Sequence, residues 1–466
     1  MKKFQLYKFL LIPTVLLSLQ SCFVARDYNQ PKVVKEEFYR TDKISRDSLN
    51  MANVSWKEIF TDPILISYIE EGLQSNMDIR VAIQQIAASE AYVKQGKAGY
   101  LPTLSLNANV SHQMLSKNSQ LPTFSQRDYT QYEATGNLSW EADIWGKIRS
   151  NDRAFQASYL QTIAAHQAVK TQLISDLASS YYQLLALDEQ RRITEETIVT
   201  RESSLETTKA LKEAGNVTEV GVKQTEAQLY RAQAVLIDIN NEIRLQENSF
   251  SILLGYAPRE INRTILDNQA ISVPLNIGLP SQLLRNRPDV IAAEYNLRNA
   301  FELTNVARSS FYPTLRLTAA GGFRSLDIAE LFNANSLFAN LLASVAQPLI
   351  NGRQIRTQYE VSQADQEIAL IDFERSLLIA SREVSDALYN YEAADEKIGV
   401  KTKEFDAYDL ATSYSEELLN NGMVNYLEVL TARENTLNSQ LELVNARFNK
   451  LSSIVDLYRA LGGGWR

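Results

Sequence analysis

The sequence predicts a mainly α-helical fold with two β-hairpins, one in each copy of an internal two-fold repeat. Motifs recur about 207–211 residues apart, so that segment 101–104 resembles segment 312–315 and Gly215 corresponds to Gly422. Long windows without glycine or proline indicate helices, whereas short windows of alternating polar and apolar residues indicate strands. A solenoid repeat is only about 20–50 residues long, so the chain instead uses one helix–hairpin–helix unit twice.

Residues 1–22 have the pattern of a signal peptide that ends at a modified cysteine. Three lysines precede the apolar stretch 9–19, which is shorter than the roughly 20 residues needed to span a bilayer. Cys22 is the only cysteine, so no internal disulfide is expected, and it directly follows Leu-Gln-Ser. That ending resembles the lipobox of bacterial lipoproteins. We expect Cys22 to carry a covalent lipid anchor rather than to be buried as a small apolar side chain.

The charge balance argues against nucleic acid as a partner. Removing residues 1–21 takes away three lysines and no acid, which changes the net charge of the chain from −8 to −11. An acidic chain lacks the basic surface that binds phosphate backbones or anionic membrane surfaces. No later apolar segment is long enough for a transmembrane helix, so any membrane crossing after Cys22 is expected to be made by strands.

The predicted helices are long and need partners along their whole length. Residues 147–214 contain neither glycine nor proline, and a helix of these 68 residues would be about 100 Å long. In later segments, apolar residues step alternately by three and four, as in coiled coils. An ordinary helical bundle or a fibrous coiled coil has the same periodicity. The two heptad seams comprise Val222, Thr225, Leu229, Ala232, Leu236, Ile239, Ile243, Gln246, Phe250 and Leu253, and then Leu427, Leu430, Glu434, Leu437, Leu441, Val444, Phe448, Leu451, Val455 and Tyr458.

Four short segments alternate between apolar and polar residues with the period of two that strands have. Runs of about ten residues with one apolar face fit strands of an outer-membrane barrel, with Tyr129, Tyr132 and Trp140 as interfacial aromatic residues. A soluble amphipathic sheet packed on a helix is the alternative. The apolar positions are Leu104, Leu106, Ala108, Val110, Met114, Tyr132, Ala134, Gly136, Leu138, Trp140, Leu315, Leu317, Ala319, Phe323, Leu337, Ala339, Leu341, Ala343 and Val345.

Four strands per chain are too few to close a barrel. Single-chain barrels have at least about eight strands, and an open sheet edge is not tolerated in lipid. The strands are therefore expected to close between chains, and a homotrimer gives a twelve-stranded β-barrel.

Three motifs of this chain are distinctive. Residues 22–31 are similar to the pattern C-x-V-G-P-D-Y-x-x-P, residues 140–149 match W-E-x-D-x-[FW]-G-x-x-R, and residues 279–290 end in Arg-Pro-Asp-Val. Together they resemble the TolC family of outer-membrane efflux channels. The likeness is to its lipoprotein branch (NodT/OprM-like), which works with resistance–nodulation–division pumps, and it covers nearly the whole mature chain. The matching motif residues are Trp140, Asp143, Gly146, Arg287, Pro288, Asp289 and Glu294.

The resemblance implies an outer-membrane channel that is not an enzyme and that needs no cofactor. In this family, three chains form a twelve-stranded barrel that continues into a long coiled-coil α-barrel in the periplasm. An equatorial belt lies between the two, here expected from residues 31–62, 256–287 and the C-terminal tail. The channel passively conducts substrates from a periplasmic adaptor (membrane fusion protein) and an inner-membrane pump. Outer-membrane lipid surrounds the strands.

These inferences define the expected segments of the chain. The long helices are expected at 146–214, 217–254, 352–421 and 424–461, and the hairpins at about 101–141 and 313–348. In chain order, the segments are a signal peptide at 1–21, a lipidated N-terminus with an equatorial segment at 22–75, the first repeat at 76–255, an equatorial linker at 256–287, the second repeat at 288–461 and a tail at 462–466.

The resemblance also assigns a gate to the two helix–helix turns. In the family, the turns that contain Gly215 and Gly422 form the periplasmic tip and meet the adaptor. Family members commonly have aspartates where this chain has Gly221 and Thr431, so the constriction here is expected to use other residues. Glu219 and Glu428 are expected either to form an acidic ring or to be solvated helix acids, and both interpretations stay open. Val217, Met423 and Val424 would make the constriction partly apolar. The tip candidates are Gly215, Val217, Glu219, Gly422, Met423, Val424 and Glu428.

Two rival functions are weighed against the channel. An enzyme is disfavoured because neither His112 nor His166 has a recognisable catalytic partner, and no nucleophile elbow, phosphate loop or metal-ligand cluster is present. A periplasmic coiled-coil structural lipoprotein without channel activity would share the helices and the anchor, but it would lack membrane strands. Drugs, metals and small metabolites all remain open as cargo, as does the identity of the pump and adaptor.

Overall fold

The chain is mainly helical, as predicted. The computed structural model describes residues 24–31, 33, 38–40, 50–116, 128–269, 271, 276–424 and 426–466; Cys22, the expected lipidation site, lies outside them. The α-helices are α1 (Trp56–Ile59), α2 (Pro63–Ser75), α3 (Met77–Ala98), α4 (Lys147–Glu213), α5 (Glu219–Leu253), α6 (Leu283–Asn286), α7 (Pro288–Ser309), α8 (Gln354–Asn420) and α9 (Tyr426–Ala460). Short 3-10 turns lie at Met51–Asn53, Leu266–Asn268, Pro280–Gln282, Ile328–Glu330 and Ala334–Ser336. Over the described ranges, no helix combines the length and the apolar character needed to cross a membrane.

Four strands form one antiparallel sheet in chain order. They are β1 (Thr103–Met114), β2 (Asp128–Ala142), β3 (Thr314–Ser325) and β4 (Leu337–Ala346). β1 and β2 come from the first repeat and β3 and β4 from the second, so the two hairpins join through β2 and β3. The prediction of four strands per chain is confirmed. β1 and β4 are the edges of the sheet, and each is hydrogen-bonded to one neighbouring strand.

The strand registers place the predicted apolar side chains on one face of the sheet. Leu138 of β2 lies opposite Leu104 of β1 and Ala319 of β3, and Ala319 lies opposite Leu341 of β4. On the edge strands these apolar side chains are exposed in the single chain, with Leu106 at 83% and Leu341 at 78% of full exposure. Leu138 and Ala319, on the central strands, are half-buried. A sheet face this apolar requires a covering, either by protein or by lipid.

One predicted aromatic residue lies on the other face. Tyr129 is opposite Gln113, and its hydroxyl donates a 2.7 Å hydrogen bond to the Gln113 side chain. Residues share a strand face only when they are an even number of positions apart, so the expectation that groups Tyr129 with Tyr132 was wrong. Tyr132 and Trp140 do share the apolar face. They are eight residues apart, which is about 26 Å along a strand, close to the roughly 25 Å apolar band of outer-membrane barrels.

The chain divides into two compact units that differ from the two sequence repeats. The first comprises the described residues of Met1–Pro31 with Ile86–Gln161 and Glu294–Asp372, and the second Lys32–Gln85, Thr162–Ala293 and Phe373–Arg466. Each unit takes parts of both repeats, because hydrogen bonds and packing join one repeat to the other, as they do between β2 and β3.

In the first unit, the N-terminal segment 24–31 packs along α7. The Arg26 backbone N–H donates to Asn305 Oδ1 at 3.1 Å, and Asn305 Nδ2 donates back to the Arg26 carbonyl at 3.0 Å. The Tyr28 ring packs edge to face on Phe301, with 5.6 Å between the ring centroids. The segment that follows Cys22 is thus held to α7 by both backbone and side-chain contacts.

In the second unit, the predicted seams largely form the contacts between helices. On α5, seven of the ten seam residues are buried: Val222, Thr225, Leu229, Ala232, Ile239, Ile243 and Phe250. On α9, Leu430, Leu437, Val444, Val455 and Tyr458 are buried. Leu427 is 50% exposed, because it lies in the first turn of α9, where the helix pair ends.

Also in the second unit, three distant segments meet in what we call the belt cluster, residues 50–62, 276–287 and 462–466. Asn50 and Ile277 form an isolated antiparallel bridge. Arg466 Nη1 donates to Asn53 Oδ1 at 2.5 Å, and Trp465 Nε1 donates to the Asn286 carbonyl at 2.9 Å. The C-terminal tail therefore ties the linker to the segment that precedes α2.

Candidate functional site: the helix–helix turns and the motif residues

The first helix–helix turn joins α4 to α5 through a left-handed glycine. Gly215 has φ +81°, a conformation that only glycine adopts without strain. The Gly215 N–H donates to the Lys212 carbonyl and the Asn216 N–H to the Leu211 carbonyl, both at 2.9 Å. This paired pattern caps the end of α4 by using carbonyls that the helix itself leaves free.

The second turn joins α8 to α9 in the same way. Gly422 has φ +69°, its N–H donates to the Leu419 carbonyl, and the Met423 N–H donates to the Leu418 carbonyl, both at 2.9 Å. A Cβ atom at Gly215 or Gly422 would meet nothing within 4 Å. Both glycines are therefore required by backbone conformation and not by lack of space.

The predicted acidic residues lie close to these turns and are exposed. Glu219, the first residue of α5, forms an ion pair with Lys212 across the first turn. The hydrogen bond and charge of the Lys212 ammonium hold the pKa of Glu219 below its usual value. Glu428 lies in the first turn of α9, in a groove that it lines with Tyr408 and Thr431. No described ion pair or hydrogen bond joins Glu219 to Glu428, so an acidic ring that uses both remains a prediction about the assembly.

The predicted apolar residues of the tip differ in exposure. Met423 is 72% exposed, whereas Val217 and Val424 are half-buried. A Cβ at Gly221 would lie 2.7 Å from Val217 Cγ1. Val217 therefore packs closely against the α5 backbone at Gly221.

A buried ionic network above the turns was missed from the sequence. Arg201 of α4 donates to the Gln228 carbonyl of α5 at 2.5 Å and to Glu434 of α9 at 2.9 Å. Arg231 lies 3.0 Å from the other Glu434 oxygen. The signal that could have revealed it is the acid Glu434 at an otherwise apolar seam position, because a carboxylate in a seam requires a cation partner.

The Arg-Pro-Asp motif begins at Arg287, the last residue of the linker segment of the belt cluster. Arg287 is almost fully buried and donates to both oxygens of Asp289, at 3.0 and 2.6 Å, to Glu383 at 2.8 Å and to the Ala460 carbonyl at 3.0 Å. Burial alone would lower the pKa of Arg287, but the carboxylates of Asp289 and Glu383 outweigh it and raise that pKa. Pro288 is the first residue of α7, where its missing N–H costs nothing. The motif therefore organises the junction between linker and helix.

Glu294, further along α7, holds the N-terminal segment. Gln30 Nε2 donates to Glu294 Oε2 at 2.8 Å. Burial raises the pKa of Glu294, and the hydrogen bond from Gln30 and the charge of Arg298 only partly offset this. These contacts indicate that Glu294 attaches the N-terminal segment to α7.

The remaining motif residues form the junction from β2 to α4. The two Asp143 oxygens accept the backbone N–H groups of Ile148 and Arg149, both at 2.9 Å, which caps the start of α4. Trp140 Nε1 donates to the Tyr100 carbonyl at 2.9 Å. Gly146 precedes the helix with φ +77°. This passage carries the chain from a strand into a long helix.

The two histidines weighed for an enzyme lie on different elements, His112 on β1 and His166 on α4, and His112 Nδ1 is 3.1 Å from Thr130 Oγ1. His112 Nε2 lies 3.0 Å from Asp128, and both side chains are exposed. His166 lies on α4, and burial and Lys170 lower its pKa. Within the part of the chain that the structure describes, no group of three or more His, Cys, Asp or Glu side chains could hold a metal ion.

Comparison with known proteins agrees with the fold and with the motifs. The chain is 29% identical over 458 residues to the solvent efflux pump outer membrane protein SrpC of Pseudomonas putida, which covers 97% of both chains. It is 27% identical over 460 residues to the cation efflux system protein CusC of Escherichia coli, which covers 97% of this chain and 98% of CusC. Among solved structures, the outer-membrane channel OprN superposes with a TM-score of 0.86 at 25% identity, over 95% of this chain and 100% of OprN.

The match to a protein family covers both repeats. Residues 68–256 and 279–463 match the model of the family described as outer membrane efflux protein. The two matched segments contain both hairpins, all four long helices and both left-handed turns. The predicted resemblance is confirmed, and the chain belongs to the outer membrane efflux protein family.

Proposed function

We infer that this protein is the outer-membrane duct of a tripartite efflux system and that it works as a homotrimer. The observation that carries this inference is the open four-stranded sheet. β1 and β4 each have one bonded neighbour, and exposed leucines and valines cover one face of both strands. In lipid, an unpaired strand edge leaves backbone groups without partners at a cost of several kcal/mol each. Three copies close a barrel of twelve strands and remove every edge.

The polar face of the sheet then lines the pore, and the apolar face meets lipid. This orientation follows from the alternation along each strand. The long helices continue the duct into the periplasm, and a lipid on Cys22 adds an anchor. The protein carries out no chemistry of its own in this proposal; an inner-membrane pump and a periplasmic adaptor supply energy and cargo.

The turns at Gly215 and Gly422 are the proposed periplasmic tip. Their support is geometric: both are tight, exposed, left-handed turns at the ends of long helices. Glu219, Glu428, Val217, Met423 and Val424 are the residues that we propose for the constriction and for contact with the adaptor.

The cargo is a separate question. One similar protein is named for solvent efflux and another for cation efflux, and these cargoes share neither charge nor polarity. Likeness to both supports a conduit role in which the pump selects the substrate.

The experiment that tests this function uses the full-length lipoprotein, extracted from outer membranes in detergent. We expect a trimer by light scattering, a species that changes mobility in gel electrophoresis only after heating, and discrete conductance steps in planar bilayers. For the conductance measurement, planar bilayers to which boiled protein has been added serve as the control. A monomer that leaves the membrane without detergent after delipidation, and that gives no conductance, would support the structural lipoprotein instead.

A further inference from the structure

The polar face of the sheet carries four charged residues, and the structure joins them in two pairs across β2 and β3. Glu133 lies directly opposite Arg324, and Glu141 lies directly opposite Arg316. In the first pair, Arg324 Nε and Nη2 donate to the two Glu133 oxygens at 3.3 and 3.2 Å. In the second, Arg316 Nη2 donates to Glu141 at 3.4 Å. Every charge on this face of the four strands therefore has a partner of opposite sign.

The two pairs lie near opposite ends of the strands. Glu133 and Glu141 are eight residues apart, which is about 26 Å along a strand. Lys147, the first residue of α4, also donates to Glu141 at 2.9 Å from beyond the end of the strand. Between the pairs, β2 and β3 present only uncharged side chains to this face: Thr135, Asn137, Ser139, Thr318, Ala320 and the glycine at 322.

A contribution to folding stability does not explain why the two pairs are present. The arginine side chains are 50% and 54% exposed, and water reaches both pairs. Solvated ion pairs contribute little to folding, because water screens their attraction. Their effect on the electric potential of a narrow passage is larger, since rings of unpaired charge are what make pores ion-selective.

We propose that the two Glu–Arg pairs cancel the charges that the strands themselves place in the pore, so that cations, anions and uncharged molecules pass through the strand-lined section alike. Lys147 adds a positive charge only at the end of this section, where α4 begins. This inference rests on the proposed function, in which the polar face lines a closed barrel. In a trimer, loss of Glu133 would leave a ring of three arginines, and loss of Arg324 would leave a ring of three glutamates. The pairing thus defines the cargo class of this section as one that is not sorted by charge.

The first test compares Glu133→Gln, Arg324→Gln and the double variant with the wild type in planar bilayers. Reversal potentials are measured across a KCl gradient near 10 mM, where the screening length is about 30 Å. We expect Glu133→Gln to shift the permeability ratio toward Cl⁻ and Arg324→Gln to shift it toward K⁺. Each shift of the ratio should be about sevenfold, since a potential near one kT per unit charge raises the concentration of one ion about 2.7-fold and lowers that of the other by the same factor. The double variant should return to the wild-type ratio, whatever selectivity the tip contributes.

A second measurement does not depend on removing a pair. Asn137→Cys places a thiol on the polar face between the pairs, and Leu138→Cys places one on the apolar face as the matched control. A positively charged, water-soluble thiosulfonate should shift the permeability of assembled Asn137→Cys channels toward Cl⁻, and a negatively charged one toward K⁺. The Leu138→Cys channels should not respond. Cys22 is the only native cysteine, so the background is low.

The outcomes separate the two proposals. If the wild type gives no conductance, the channel function itself is wrong. If the channels conduct but neither single variant, nor labelled Asn137→Cys, changes the permeability ratio, the neutral section is overturned while the duct stands. If both single variants shift the ratio in the same direction, paired neutrality is also wrong.

Discussion

Arg201 of α4 and Glu434 of α9 form a buried 2.9 Å ion pair that joins the two sequence repeats. The Arg201 side chain is only 4% exposed, and its second terminal nitrogen donates to the Gln228 carbonyl of α5. Arg231, also on α5, approaches the other oxygen of Glu434. A single carboxylate therefore holds three helices together above the proposed tip.

Glu434→Leu should be strongly destabilising, because it leaves Arg201 buried without its carboxylate. Removal of one partner of a buried pair typically costs about 3–5 kcal/mol, whereas replacing both partners by apolar residues is much milder. The double variant Arg201→Leu/Glu434→Leu should therefore unfold at a higher temperature than Glu434→Leu. Thermal unfolding of the detergent-solubilised protein, followed by circular dichroism, measures both.

The control for this pair is Glu206→Leu on the same helix as Arg201. Glu206 forms an exposed ion pair with Lys209. Exposed pairs contribute little to stability, so the unfolding temperature of Glu206→Leu should stay near that of the wild type. Equal losses in the single and double variants at Arg201 and Glu434 would show that the pair itself is not what holds the helices.

The two faces of β4 should respond oppositely to the same new charge. Leu341→Arg places a guanidinium on the apolar face, at a cost of about 2–4 kcal/mol near the middle of a bilayer. Asn340→Arg places it on the polar face, where water solvates it. We expect Leu341→Arg to reduce the heat-modifiable species in outer membranes severely and Asn340→Arg to leave it near the wild-type amount. Normal assembly of Leu341→Arg would mean that this face does not meet lipid.

The strand faces and the turns could be predicted because their causes are local. Residues two apart on a strand share a face whatever surrounds them, so alternation around Leu138 and Leu341 identified the apolar face. Gly215 and Gly422 could be recognised because a left-handed helix end favours glycine. In both cases, a few neighbouring residues contain the whole physical reason.

Contacts between distant segments could not be predicted in this way. Glu434 at a seam position indicates that a cation is near, but the periodicity of α9 contains nothing that selects Arg201, 233 residues away. The attachment of the N-terminal segment is still less visible, because Asn305 recognises backbone atoms of Arg26. Every residue except proline presents an N–H and a carbonyl at position 26, so no specific side chain records the contact.

Two glycine-to-alanine changes should alter stability in opposite directions. Gly215→Ala forces a Cβ into a left-handed conformation and should destabilise the protein by about 1–2 kcal/mol. Gly399 lies inside α8, and a Cβ there would meet nothing within 4 Å in the chain. Gly399→Ala should therefore stabilise the helix by up to about 1 kcal/mol. Thermal unfolding measures both changes, and a loss of stability or of trimer in Gly399→Ala would reveal close approach of another chain at that position.

Asp62, at the start of α2, is a buried carboxylate with four hydrogen-bond donors. It accepts hydrogen bonds from the Ile64 N–H at 2.8 Å, the Tyr181 hydroxyl at 2.8 Å, Gln269 Nε2 at 2.9 Å and the Thr264 hydroxyl. Burial alone would raise the pKa of Asp62, but the donors, with Thr264 and Tyr181 foremost, outweigh it and lower that pKa. The charged form is therefore the one that the fold stabilises.

Asp62→Asn should lower the free energy of unfolding at neutral pH by about 1.5–3 kcal/mol, the range for hydrogen bonds to a charged group. Because the folded-state pKa is lowered, this contribution is fully present above the ordinary aspartate pKa of about 4. It is lost as the pH falls through the lowered folded-state pKa. The unfolding temperatures of wild type and Asp62→Asn should thus converge in acid, with Asp267→Asn, at an exposed pair with Arg447, as a variant that follows the wild type throughout. If the unfolding temperature of Asp62→Asn stayed below that of the wild type by the same amount down to strongly acidic pH, the donors would recognise the shape of the side chain and not its charge.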